Sequence, residues 1–305
     1  MVGLIRTIVL LSVCVASSVS ANPLQRIEVA EDIFALIGPM EQRSETNFAN
    51  NANFGFIVGE RGVVLIDSGG TLKGAQAIEA QIRAVTDKPV VLVINTGGQD
   101  HRWFGNRYFA DQGIRTLTSE QTLADQQARG EAQMSSTSHY TGDSWRGTDV
   151  MPANEAVSEV TDISVEGIHL QLIPVGPAHT GGETLVWLPE SGVLFSGDVV
   201  YMDRMLGVGP QSQHLAWIDA FKVIQQLKPG QIEPGHGQPT DLSGAERDTY
   251  RYLLFLRSAV GELLEEGEDM GATRRIDQSA FSYLSVYEQI HARNAQRVFE
   301  EMEWE

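Results

Sequence analysis

Cysteine is almost absent: the 305-residue chain has one, Cys14. It lies in the N-terminal stretch MVGLIRTIVLLSVCVASSVSA, where Arg6, an apolar run from Thr7 to Ala16 and the small residues Val19 and Ala21 precede Asn22. This is the three-part pattern of a secretory signal peptide over residues 1–21, and it predicts a periplasmic or secreted protein. Cleavage after Ala21 leaves a mature chain without cysteine, which excludes disulfides and thiolate metal sites. The apolar run is shorter than the ~20 residues that a membrane span requires, so no span is expected in the mature chain. Lipidation of Cys14 after Leu11-Ser12-Val13 is disfavoured by the bulk of Val13. Basic residues are scarce too, with 22 Lys and Arg against 40 Asp and Glu and a formal net charge of −18. Such a surface repels nucleic acid and anionic membranes. Two further absences narrow the chemistry. PVGPAHTGG and IDSGG are glycine-rich but lack the lysine and spacing of a P-loop. Ser68 and Ser196 follow strands, yet no G-x-S-x-G elbow surrounds either, which argues against a serine hydrolase.

What is present reads as an α/β fold. DIFALIGP (32–39) is a strand, and NFGFIVGERGVVLIDSGG (53–70) is a pair of apolar strands around Glu60-Arg61-Gly62. Residues 72–85 carry helical spacing, and PVVLVI (89–94) is a continuous apolar run suited to a buried strand. A strand at 114–119 and a helix over 119–133 follow, then a polar, Ser/Thr-rich loop at 134–160. Residues 163–175 and 184–198 are again strands, 215–227 a helix, and 230–238 a short strand breaking into a Gly-Pro loop. Residues 22–32 read as a lead-in. From about Ser243 the chain is helical, with a break at Met270-Gly271. Paired strands followed by helices in both halves predict two sheets packed face to face with helices outside. The hairpins argue against a purely parallel, doubly wound sheet.

Ligand-type side chains follow apolar strands at four places: Gln99–Arg102, His179, Asp198 and His236. One histidine in a turn is usually structural, but four such sites at strand ends suit a borderline cation such as zinc, which takes imidazole and carboxylate. His139 and His169 read as structural or exposed; His214 opens a helix that could reach a cleft.

These spacings resemble the metallo-β-lactamase-fold hydrolases over roughly Asp32 to Pro239. NFGFIVGERGVVLIDSG is similar to that family's opening hairpin, GPAHTGGETLVWLPESGVLFSGD to its third-histidine and bridging-aspartate segment, and PGHG to its last histidine turn. The resemblance implies a four-layer αβ/βα sandwich (residues 22–242) with a C-terminal helical extension (243–305) and one or two metals, usually zinc. It makes His179 a ligand of a first metal, Asp198 a bridging ligand and His236 a ligand of a second. Asp67 is then the carboxylate that orders the surrounding loop, with Gln99 beside it.

NTGGQDHRWFGN (95–106) departs from the family's Asn-Thr-His-x-His-x-Asp-His-x-x-Gly-Asn. Without gaps, the ligand slots hold Gly97, Gln99, His101 and Arg102; sliding by one keeps Asp100-His101 in register but puts Thr96 and Gly98 before it. Either way the first site is lost. The expectation is one zinc ion per chain at His101, Asp198 and His236, with His179 as a fourth ligand or hydrogen-bonding neighbour. Asp100 is a ligand in one register, and a general base or supporting group in the other. Arg102 either takes over the missing metal's charge or pairs with Asp67 or Asp198. The loop and SGDVVYMDRMLG also resemble a periplasmic branch, the quinoprotein relay system zinc metallohydrolases. Two functions follow: an exported hydrolase of an ester, thioester or lactam bond in a small-molecule substrate, or a non-catalytic accessory protein with a periplasmic redox partner.

Overall fold

Residues along the central strands alternate between two interiors. On strands β3 (Phe54–Val58) and β4 (Val63–Ile66), Phe54, Phe56, Val63 and Leu65 face a helical layer, whereas Ile57, Val64 and Ile66 face a second sheet. This period of two, with both faces apolar, is what a sheet buried on both sides requires. The computed structural model describes residues 22–305. The signal peptide expected at 1–21 lies outside the described residues.

The first sheet runs in chain order: β1 (Gln25–Ala30), β2 (Ile33–Ile37), β3, β4, β5 (Val90–Ile94), β6 (Arg115–Ser119) and β7 (Glu155–Val157). Pairing is antiparallel up to β4 and parallel from there to β7. The parallel steps pass through helices α1 (Leu72–Arg83), α2 (Asp100–Trp103), α3 (Asn106–Ala110) and α4 (Glu120–Thr141). Thr71 starts α1 by accepting a hydrogen bond from the Gly74 amide. The second sheet has the order β12-β11-β10-β9-β8, from β8 (Thr161–Val165), β9 (Ile168–Gly176), β10 (Glu183–Leu188), β11 (Val193–Tyr201) and β12 (Gln231–His236). It is antiparallel except where β11 meets β12 across helix α5 (His214–Leu227). The chain ends with α6 (Leu242–Ala245), α7 (Arg251–Glu265) and α8 (Tyr287–Met302).

Three apolar clusters define four layers, as the resemblance implies: α1 on the first sheet, the two sheets on each other, and α5, α7 and α8 on the second sheet. The C-terminal helices are part of the last layer. Leu253, Leu256, Val298 and Phe299 share one core with Leu194, Val199 and Phe221.

Three local expectations change. Residues 25–30 form an edge strand, where the sequence read as a lead-in; only Ile27, Val29 and Ala30 of it are apolar. Helix α4 continues through residues 134–141, and β7 lies inside the stretch read as loop. Tertiary bonds hold α4 past its weak Ser/Thr-rich end: Gln133 donates to the Gly98 carbonyl at 2.8 Å, and Thr137 to Asp100.

Glu233, on β12, is buried, and both its carboxyl oxygens lack a hydrogen-bond partner among the described residues. Burial pushes its pKa up to about 8. Below the ordinary carboxyl pKa, folded and unfolded chains both hold this proton. As pH rises towards 8 only the unfolded chain releases it, so the wild type loses stability. Glu233→Gln is therefore expected to gain stability over the wild type between about pH 4.5 and pH 8 and to hold that gain above, on the order of a few kcal/mol. Parallel pH profiles of Tm for the two proteins would refute the assignment.

Candidate functional site

The two sheets open at one edge, where the ends of β4, β5, β11 and β12 meet. Asp67 follows β4 in a left-handed conformation (φ 63°) that few side chains tolerate. Its carboxylate accepts from the Thr96 amide and hydroxyl, both at 2.7 Å, and so ties β4 to the end of β5. Asn95 and Asn106 bracket the following loop, exchanging side-chain bonds at 3.0 and 2.7 Å. Trp103 closes it from inside by donating to the Gly98 carbonyl at 3.1 Å. The loop is thereby fixed across α2, and His101 and Arg102 point inward, 2% and 1% exposed.

Asp198 is the centre of the site. One carboxyl oxygen lies 3.3 Å from His101 Nε2 and the other 3.3 Å from His236 Nε2. Arg102 grips both, Nη2 at 2.6 Å and Nε at 3.2 Å. The remaining N–H groups of Arg102 go to Asn53 O (2.7 Å), Asp67 (3.0 Å) and Gly235 O (3.0 Å), so all five of its donors are used. Gly235 permits this approach: a Cβ there would sit 2.6 Å from Arg102 Nη2. Arg102 is thus the ion-pair partner of Asp67 and Asp198 together, with no N–H left for a substrate.

The two carboxylates respond differently. Burial works to raise Asp198, but the Arg102 charge and the bonds from His101 and His236 overcome it and hold the pKa well below the usual range. At Asp67 burial wins over the single Arg102 contact and the Thr96 bonds, and the pKa rises to about 6. Burial lowers His101 to about 4 and His236 well below its ordinary value, so both imidazoles are neutral at physiological pH.

Asp100 and His179 stand apart from this group. Asp100 is turned to Arg43 and Thr137 and accepts from Gln99 Nε2 at 3.0 Å. Although burial opposes it, Arg43 holds its pKa far below the carboxylate range, which makes Asp100 a weak base. His179 hydrogen-bonds the Gly207 carbonyl through Nδ1 at 3.0 Å and packs against Tyr201 and Trp217. It lines the same cleft as His101 and His236 without joining their donor atoms. His214 is turned to the C-terminal helices, 2.8 Å from Arg257 and from Glu301.

Two participants were missed in the sequence. Arg43, from a polar stretch without a motif, reaches both Asp100 and His101, its Nη2 lying 3.1 Å from His101 Nδ1. Glu183, at the start of β10, occupies the space beside Gly97; a Cβ at Gly97 would overlap Glu183 Oε2. Its other oxygen accepts from the Thr180 amide (2.9 Å) and hydroxyl (2.7 Å), while Oε2 is buried and has no partner among the described residues. Burial, reinforced by the Asp198 charge, raises the Glu183 pKa well above the usual range. The Glu183 carboxyl group therefore fills the space beside Gly97.

The donor set fits one cation. His101, Asp198 and His236 offer ligand atoms all within 4.8 Å of one another. Each imidazole Nε2 lies 3.3 Å from one Asp198 oxygen, a spacing that ligand atoms sharing a small cation can take. Two features oppose tight binding. A guanidinium only donates, so Arg43 makes His101 Nδ1 an acceptor and puts the ring proton on Nε2, the ligand atom. Arg102 and the two imidazoles also supply a donor for each of the roughly four lone-pair sites of Asp198. The site opens into a cleft of about 340 Å³.

The profile of the metallo-beta-lactamase superfamily matches residues 48–236. Solved structures agree in fold. A metallo-beta-lactamase from Pontibacter korlensis superposes with a TM-score of 0.60 at 19% identity, covering 76% of this chain and 99% of that one. The FIM-1 metallo-beta-lactamase from Pseudomonas aeruginosa, in its mono-zinc form, gives 0.59 at 18% identity, covering 76% and 95%. Among characterised proteins, the alpha subunit of 2,4-dinitroanisole O-demethylase from a Nocardioides strain is 24% identical over 184 residues, 59% of this chain. The chain spans about half the length of that relative, 51%.

Proposed function

The chain belongs to the metallo-beta-lactamase superfamily, and from that premise we propose that it is an exported hydrolase with a single zinc ion, acting on an ester, thioester or lactam-type bond. One observation carries the reading: His101 Nε2, His236 Nε2 and the Asp198 carboxylate converge, and the two imidazoles line a cleft large enough for a small molecule. Three ligands are the minimum for a catalytic zinc. His101, Asp198 and His236 would hold the zinc, which when bound would supply Lewis acidity and lower the pKa of water to near neutral. The chain's own residues do the rest. Burial keeps both imidazoles neutral, as ligation requires once His101 Nε2 gives up its proton, and Arg102 keeps Asp198 ionised and aimed between them. Tyr201 stacks on His236 with ring centroids 4.6 Å apart and fixes its plane. In either register of the 95–106 loop the two family histidine slots hold no histidine, being Gly97 and Gln99 or Thr96 and Gly98, which supports one metal position rather than two. The O-demethylase relative carries a name that is not lactam chemistry, so the bond class stays broader than lactams.

A second reading has its own support. Arg43 on His101 and Arg102 on Asp198 satisfy the site without a cation. On this reading the chain is an accessory binding protein, in keeping with its resemblance to the quinoprotein relay branch and a periplasmic redox partner. Metal content separates the two. The mature protein reconstituted with zinc is expected to hold about one ion per chain and to hydrolyse an activated ester or thioester in a chelator-sensitive way. His101→Ala and His236→Ala should each lose both properties. No retained zinc and no turnover would leave the accessory reading.

A further inference from the structure

The chain carries a net charge of −18, yet the cleft above His101 and His236 is lined by Arg43, Arg204, Arg293 and Arg297, and the nearest carboxylate beneath the two histidines, Asp198, is already paired with Arg102. Positive charge concentrated in a concave, partly desolvated site attracts anions more strongly than the same charge on a surface. The four arginines are not equivalent. Arg43 is neutralised by Asp100 and Arg297 by Glu300. Arg204 has no carboxylate within ion-pair distance among the described residues, although it is only 6% exposed. Its one hydrogen bond among the described residues is from Nε to the Met40 carbonyl at 3.0 Å. Burial lowers its pKa and the nearby Arg43 charge adds to that, while Tyr201 and the more distant Asp198 charge offset part of it. A buried guanidinium without a counter-charge costs the fold several kcal/mol. Arg293 is exposed and also without an ion-pair partner among the described residues.

The placement of Arg204 is built. It follows Tyr201 in the loop after β11, and Asp203 before it takes a left-handed conformation (φ 56°). The Asp203 carbonyl accepts from the Ser285 amide at 2.8 Å, and the Met205 amide donates to the Ser285 carbonyl at 3.0 Å. The segment that clamps this loop, and α8 with Arg293 and Arg297, lie beyond the family match, which stops at 236. The last layer therefore adds something to the cleft that the shared domain does not contain.

We propose that this cleft selects small molecules carrying an oxyanionic group, a carboxylate or a phosphate, with Arg204 as its principal anchor and Arg293 in support. The planar guanidinium fork suits both groups, since it can donate two parallel N–H bonds. That the anchored molecule is also the one cleaved rests on the hydrolase reading; the binding itself does not.

The test uses the mature protein freed of metal by chelation and dialysis, so that an anion cannot be held by zinc. Succinate, its neutral analogue succinamide and inorganic phosphate are titrated calorimetrically at constant ionic strength. Saturable binding of succinate or phosphate, with succinamide at least tenfold weaker, is the expected result; the tighter of the two anions names the group. Arg204→Gln should weaken that binding at least tenfold and Arg204→Lys less. Arg107→Gln, at an exposed ion pair with Asp111, should not change it. Should Arg204→Gln fail to fold, Arg293→Gln provides the second reading, expected to weaken binding at least threefold. Equal affinity for succinate and succinamide, unchanged affinity in the folded arginine variants, or no anion binding would overturn the proposal. A failed hydrolase reading looks different: no zinc and no turnover, with anion binding intact.

Discussion

Replacing Arg102 with methionine is expected to destabilise the metal-free protein by about 3–5 kcal/mol at pH 8, the usual loss when one partner of a buried ion pair is removed. For a chain of this size that is a fall in Tm of roughly 10 °C. Methionine fills much of the volume, so the loss is one of charge and hydrogen bonds. Asp198 loses two N–H donors and Asp67 one, and the Asn53 and Gly235 carbonyls lose theirs. The pH dependence follows from the carboxylates. Asp198 is held low in the wild type, so its contribution is present above the unfolded carboxyl pKa and fades as pH falls through its folded value. Asp67, already at about 6, rises further once the guanidinium is gone, and it takes up a proton. The difference between variant and wild type should therefore narrow from pH 8 towards pH 4. Excess zinc should raise the Tm of the variant more than that of the wild type, because a dication can give Asp198 the positive charge that Arg102 gave. Thermal melts at pH 8 and pH 5, with and without zinc, read all of this. A variant as stable as the wild type at pH 8 would show that Arg102 does not hold the carboxylates in place.

The same residue shows where sequence reasoning stopped. The apolar runs at 54–66 and 90–94 and the paired strands at 184–198 were enough to place two sheets, because burial on both faces leaves a continuous apolar record. Strand β1 left none: QRIEVA is an edge, and its pairing with β2 is set by the neighbour. The end of α4 was equally hidden, since MSSTSHYT has low helix propensity and is held by bonds to Asp100 and Gly98. At the site, His101, Asp198 and His236 were legible because each follows an apolar strand. Arg102 was legible as a choice between an anion-holding cation and an ion-pair partner, and only five hydrogen-bond distances decide it. Arg43, Glu183 and Arg204 come from distant segments and meet the site through the fold alone. Glu183 had one trace, an acidic residue opening the apolar run TLVWL. Its relation to Gly97 needed the geometry.

Asp198→Asn should remove the chemistry while sparing more of the fold. The amide keeps the size of the carboxylate and one oxygen for Arg102, but its NH2 turns a donor towards groups that already donate. The predicted loss of zinc affinity is on the order of a hundredfold or more, because two imidazoles alone fall below the three ligands of a catalytic site. Turnover should drop by roughly three orders of magnitude, matching the several kcal/mol of charge stabilisation that a correctly held metal contributes. Zinc titration against a competing chelator and kcat on one activated ester give the two numbers, and circular dichroism separates them from unfolding. A useful internal check is Glu183, whose raised pKa owes part of its shift to the Asp198 charge. With that charge removed, the Glu183 pKa should fall back towards the ordinary range without reaching it, since burial is the larger cause. Wild-type zinc affinity in a folded Asp198→Asn protein would place the metal elsewhere and remove Asp198 from the centre of the site. Lost zinc with unchanged turnover would separate the hydrolysis from the metal altogether.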